Sequence, residues 1–445
     1  MNRLNSVFIF LSCVLPATSL CVAGDSEAKR QAFRMGVLLP VEGPILENAT
    51  LLVRDGYIEK IVSAGEELPE GVELIDLGKS SIVFPTLVNP YSRLHEIDSN
   101  IHAQRLGAVQ EIQPSPHDNR KEKVLASFRH RKEIYGRMTE TGYGAIALAP
   151  SGAGFLSGQA CVVRPGKARE KKDLVLAETA YLGMAYRRGR AWRLFAERHF
   201  KKAFEQIKKM RSAKEKKQKA DVQSIPVEQA QSGQKVPGLP LTQKKAVAKS
   251  PPPPDPLVEV LLGNMKSFLL IHHPADIDHG MRVLDKLKKK FRFVLLTEAQ
   301  EPDVVEKLAR RKEDLAGVIL QPQMATYRHS SVYYQPARLF EEAGIPVAFV
   351  PAGDDFKGHR EIFYFLAEMV KSGLSRDQVL RAVTLTPARF LGLDKRIGSI
   401  EVGKEASFVV FDDDPFNGLS RPKEVYHVGK RVYSAEEVKS AEVKK

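Results

Sequence analysis

The sequence predicts an α/β protein: a parallel sheet with helices packed around it, flanked by strand-rich chain ends. Three observations carry this. Short apolar runs at 145–149, 268–271, 293–296, 317–320 and 346–350, each followed by polar turn residues, alternate with helical patterns through the middle of the chain. Both ends carry shorter strand-like runs separated by Gly, Asp and Pro. The chain has 445 residues, 43% hydrophobic and 27% charged, enough for one large core and a smaller one.

Taken in order, the chain begins with Arg3, an apolar run over 6–20 and the small residues Val22-Ala23-Gly24. That is the pattern of a signal peptide over 1–24, and it predicts an exported protein, periplasmic or secreted, with no membrane span after cleavage. Cys13 and Cys21 would leave with it, so Cys161 would stand alone and form no internal disulfide. Over 49–62, two apolar runs surround Asp55-Gly56, where glycine supplies the positive φ that a tight hairpin needs. In the middle, helices are predicted over 277–288, 302–310, 335–342, 361–371 and 375–384, the last capped by Ser375. The segment 205–256 is lysine-rich, then rich in Gln, Ser, Gly and Pro, ending in Pro251-Pro252-Pro253-Pro254-Asp255-Pro256. It is expected to be a disordered surface insertion, because it offers too little apolar area to offset ordering. The net charge of +14 is concentrated nearby: 187–249 holds 18 basic and 5 acidic side chains. Through 205–250 this insertion is a candidate contact for an anionic surface. Nucleic acid is not expected, since the segment lacks interleaved aromatics.

Several stretches also resemble a known family. The run from Ile75-Asp76-Leu77-Gly78 to Phe84-Pro85-Thr86-Leu87-Val88-Asn89-Pro90-Tyr91-Ser92-Arg93 resembles the I-D-x-x-G-x-x-V-x-P-G-L-I-D-x-H-x-H opening of the amidohydrolase superfamily. Near the other end, Ala382-Val383-Thr384-Leu385-Thr386-Pro387-Ala388-Arg389-Phe390-Leu391-Gly392-Leu393 is similar to A-x-T-x-N-P-A-x-x-L-G-L. It is followed by Ile397-Gly398-Ser399-Ile400-Glu401-Val402-Gly403-Lys404-Glu405-Ala406, which resembles I-G-S-I-E-x-G-K-D-A. The set looks like the imidazolonepropionase-like and dihydroorotase-like branch. The resemblance implies a TIM (β/α)8 barrel over 83–391 beside a small composite β-sandwich built from 25–82 and 392–437. It also implies a site at the C-terminal ends of the barrel strands. By family the chemistry is metal-dependent hydrolysis of non-peptide C–N bonds in cyclic amides or amidines, with zinc as the cofactor.

The ligand positions depart from that pattern. Tyr91 and Arg93 stand where the family has its H-x-H pair, and a guanidinium repels a metal. His95 lies two residues on, within reach only if the register slips. His272 matches the family's strand-five ligand. At strand six, Thr297 or Glu298 replaces a histidine, and Glu298 is a candidate metal ligand. After strand eight, Asp354 and Asp355 are the candidates for the family's catalytic aspartate. Tyr91 and Arg93 are then candidates for binding a small-molecule ligand. No G-x-S-x-G elbow and no phosphate loop of the G-x-x-x-x-G-K kind occurs. Two readings stay open: a hydrolase with an altered metal site holding one divalent ion or none, and a catalytically inactive barrel that binds a ligand or partner.

Overall fold

A computed structural model describes residues 30–443, apart from 64–65, 97–117, 151–153, 168–172, 224–253, 287–291, 299 and 328. The expected signal peptide lies outside the described residues. Among them, no helix is long and apolar enough to cross a membrane.

The Asp55-Gly56 pair forms the predicted hairpin. Both residues take positive φ, 53° and 85°, and the strands Thr50–Arg54 and Tyr57–Val62 pair antiparallel around them. With Arg30–Arg34 and Glu73–Asp76 they make a four-stranded sheet. A six-stranded sheet faces it and mixes the two chain ends. Its strand Ile82–Pro85 lies between Val37–Leu38 and the C-terminal strand Phe408–Phe411. The apolar core between the sheets joins Phe33, Leu51 and Ile58 to Phe408, Val410 and Tyr426. Ile82–Pro85 therefore belongs to the sandwich, and the barrel begins a few residues later than 83.

The central sheet has eight strands, each hydrogen-bonded to the next: Leu87–Ser92, Tyr143–Leu148, Leu156–Val163, Val175–Ala185, Lys266–Leu270, Phe293–Leu296, Leu315–Leu320 and Val347–Phe349. The first and last approach one another, so the sheet is a nearly closed barrel. Its pairing is parallel except at the third strand, Leu156–Val163, which runs antiparallel to both neighbours. The barrel thus has seven parallel strands and one reversed strand, a departure from a strict (β/α)8 repeat.

Helices fill the crossovers where the apolar pattern placed them: Pro274–Lys286, Pro302–Ala309, Pro336–Glu342, Ile362–Lys371 and Arg376–Val383. Ser375 and Gln378 form a reciprocal capping box at the start of the last of these. Inside the barrel, Ala145, Ala147, Ala160 and Ala348 are small where Tyr181 and Phe268 are large. Those two rings stack at 3.7 Å with an interplanar angle of 3°. Phe390 closes the floor. A Cβ on Gly317 would sit 2.2 Å from its ring, so this strand position requires glycine.

The expectation of disorder over 205–256 is corrected at both ends. A helix runs from Arg190 to Gln223. Asp255 caps a second helix, Pro256–Leu262, by accepting from the Leu257 amide at 3.0 Å. Trp192, Ala196, Phe200, Ala203 and Ile207 are buried at spacings of three and four, one apolar seam against the barrel. Beyond the seam, lysine, glutamine and alanine are good helix formers, so a lysine-rich composition did not signal an unfolded chain there. Residues 224–253 lie outside the described residues.

Candidate active site

The first barrel strand ends in Asn89-Pro90-Tyr91-Ser92, and its residues set one side of the site. Asn89 is fully buried. Its Oδ1 accepts from the Tyr91 amide at 3.1 Å, and its Nδ2 donates to His359 Nε2 at 3.0 Å. His359 is also fully buried, and its Nδ1 donates to the Asp355 carbonyl at 2.7 Å. These partners fix the tautomer with the proton on Nδ1. Burial lowers the His359 pKa to about 4, so the ring is neutral near pH 7.

Ser92 and Arg93 reach the turn after the eighth strand. Ser92 Oγ donates to Asp354 Oδ1 at 2.6 Å, and the Arg93 amide donates to Asp354 Oδ2. Burial raises the Asp354 pKa to about 6 against the lowering effect of these donors. The Arg93 side chain turns the other way. Its Nε donates to Glu96 Oε2 at 2.8 Å, and about half of the side chain stays exposed. Tyr91, mostly buried, has its hydroxyl pKa pushed up to about 12, first by burial.

Tyr91, Arg93, Asp354, His272 and Glu298 all line one cavity of about 300 Å³ at the C-terminal ends of the strands. Leu270, Leu296, Ile319 and Val350 give it an apolar wall, and Thr297, Gln300, Gln321 and Gln323 add neutral polar groups. His272 follows the fifth strand and faces Glu298 across the sixth, with Nδ1 3.4 Å from Oε1. Both side chains are open to solvent.

Of the six residues singled out from the sequence, Asp355 alone does not line the cavity. It caps the helix Phe356–Arg360, its Oδ1 accepting from the Gly358 amide at 2.7 Å. An aspartate placed just before a helix satisfies an otherwise unpaired amide, and that claims its carboxylate. His95 does not slip inward. It sits in the turn Leu94–Glu96, with Nε2 3.7 Å from Glu96 Oε1. Asn89, Ser92, Glu96 and His359 were missed. Asn89 had a signal, since it stands at the aspartate of the D-x-H-x-H pattern. His359 had none, because its partner is 270 residues away in sequence.

A divalent ion would need at least three convergent donors. Among the described residues no three His, Cys, Asp or Glu side chains converge in that way. His272 and Glu298 form only a pair, Asp354 already accepts two hydrogen bonds, and Arg93 is a further lining residue. The donor set does not fit a zinc centre. A larger groove of about 960 Å³ runs between the helix Phe356–Arg360 and the C-terminal strands. It carries four basic and four acidic side chains, and none of the six predicted site residues lines it.

The comparisons with known proteins follow this geometry. An amidohydrolase family model matches residues 348–431, from the eighth barrel strand into the sandwich. A structure of an amidohydrolase from Thermotoga maritima superposes with a TM-score of 0.64 at 21% identity, covering 91% of this chain and 99% of that one. The chain shares the amidohydrolase fold, and its segment 348–431 resembles that family. Among curated proteins, imidazolonepropionase from Syntrophobacter fumaroxidans is 33% identical over 124 residues, 27% of this chain. Imidazolonepropionase from Thermoplasma volcanium is 29% identical over 107 residues, 22% of this chain. These matches span only 27% and 26% of the relatives' own lengths, about a quarter in each case.

Proposed function

We propose that this chain is an amidohydrolase-type barrel whose cavity binds a compact organic anion, with Arg93 supplying the cation. One observation carries the reading. Arg93 stands where the family pattern has a metal-binding histidine and lines the same cavity as Asp354, His272 and Glu298, and its half-exposed guanidinium, paired with Glu96, is the cation a ligand would draw inward. A guanidinium pairs with a carboxylate through two parallel hydrogen bonds, which fixes a ligand's orientation as well as its charge. The aliphatic wall accepts an apolar body, and the glutamines suit an amide or carbonyl. A volume of about 300 Å³ limits the ligand to a small molecule. Titration calorimetry of the full chain against small carboxylates with an apolar body tests this. Micromolar-to-millimolar binding that is lost in Arg93→Gln supports it, whereas equal affinity in that variant rejects it.

A second reading keeps catalysis, the hydrolysis of a C–N bond in a cyclic amide or amidine. The placement of Asp354 favours it. A cavity carboxyl with a pKa of about 6 can exchange a proton near neutral pH. Metal analysis of the purified protein, together with turnover of cyclic amides, separates the two readings. Stoichiometric zinc that disappears in His272→Ala supports the hydrolase.

A further inference from the structure

The helix Arg190–Gln223 changes character part-way along. As far as Ile207 it presents one buried seam to the barrel. Over 208–216 every residue is exposed. That stretch reads Lys208-Lys209-Met210-Arg211-Ser212-Ala213-Lys214-Glu215-Lys216, five cations against one carboxylate. None of the five makes an ion pair among the described residues. From 208 to 216, a rise of about 1.5 Å per residue carries this exposed stretch roughly 13 Å beyond Ile207. Lys208 and Arg211, and Arg211 and Lys214, are three residues apart, close enough to repel. An overhanging helix with like charges and no packing gains most from a partner that neutralises it.

We propose that this overhang is a docking arm for a linear, base-free polyphosphate chain. At about 100° per residue the five cations point all round the helix, so a flexible polyanion can follow them, whereas a flat lipid surface meets only one side. Met210 is the sole large apolar side chain of 208–216, which is no face for membrane insertion or for pairing with a second helix. The same stretch has no aromatic, Asn or Gln side chain with which to stack on or read a base. What remains is charge-to-phosphate contact with counter-ion release.

The test uses the full chain, inorganic polyphosphate as the probe, and the variant K208Q/K209Q/R211Q/K214Q/K216Q. At low salt the variant is expected to bind at least ten-fold more weakly. Its plot of log K against log salt becomes shallower by up to about 0.7 for each contact removed. Unchanged affinity and slope overturn the proposal. Tighter binding of duplex DNA or of phosphatidylserine vesicles than of polyphosphate, abolished in the same variant, also overturns it in favour of that partner. Circular dichroism and the thermal midpoint report whether the variant stays folded. If it does not, the double variant R211Q/K214Q and the charge-preserving K208R/K209R/K214R/K216R carry the test: the first loses affinity and the second keeps it, or the arm is not the site.

Discussion

The two flanks of the cavity are built differently. On one, the first and eighth strands meet through Ser92, Arg93 and Asp354, and Asn89 and His359 lie buried behind them. On the other, His272 and Glu298 face each other in solvent. The first flank is an interior, where each polar atom costs free energy unless it is bonded and where pKa values move. The second is a surface pair of the kind that contributes little to stability. The family pattern marks both flanks equally, so pattern alone does not separate a residue that holds the barrel from one that is free to meet a ligand.

The largest effect that tests this contrast is on the pH dependence of stability. His359 has its pKa lowered by burial, so its share of stability is present above the unfolded value of 6.5 and is lost as pH falls through about 4. Asp354 acts in the opposite sense. Its share is fully present below the ordinary 3.8 and is lost as pH rises through about 6. In Asp354→Asn, which removes the opposing group, urea unfolding from pH 6.5 down to 4 is expected to show a loss to which His359 contributes on the order of 3 kcal/mol. Adding His359→Gln to that variant is expected to reduce the loss by about that amount, and buried His427, with its pKa lowered to about 3, contributes the remainder in both backgrounds. Identical profiles in Asp354→Asn and in Asp354→Asn/His359→Gln would remove the buried-flank account.

Next in size is the seam itself. Asp354→Ala leaves the buried Ser92 hydroxyl without its acceptor and is expected to cost about 2 kcal/mol, read as a lower thermal midpoint at pH 7. On the ligand side, Arg93→Gln is expected to weaken binding of a small carboxylate by about ten-fold to a hundred-fold. Binding in the parent protein should also weaken as pH rises through about 6, because ionised Asp354 then repels the anion, and calorimetry across pH with Asp354→Asn as reference checks this. The smallest effect belongs to the exposed flank. Glu298→Gln should move stability by less than about 0.5 kcal/mol, and a drop above 2 kcal/mol would show that the pair is structural after all.

Much of the barrel was legible because its strands are buried on both faces and read as apolar runs. Phe293–Leu296 appears at the predicted positions, and Tyr143–Leu148 and Lys266–Leu270 within two residues. Leu156–Val163 escaped because Ser157 and Gln159 break the apolar run. Both are buried, yet they are satisfied by backbone carbonyls, of Gly154 at 3.0 Å and of Arg120 at 2.8 Å. The helix beyond 205 was hidden by lysine, which is common to solvated helices and to unfolded tails. Position on the strands brought Tyr91, Arg93, His272, Glu298 and Asp354 to one cavity. The fate of Asp355 was decided by the helix that starts after it. The bond between Asn89 and His359 is a tertiary event with no local trace.

Within the described residues no backbone ladder joins the first barrel strand to the eighth. A ring stitched at one joint by a serine hydroxyl, a main-chain amide and an asparagine–histidine pair, with no ladder, is expected to breathe there first. Amide deuteration should therefore start beside Ser92 and run ahead of the Phe268 and Val294 strands, and a solute entering the mouth would find its way in along that same line.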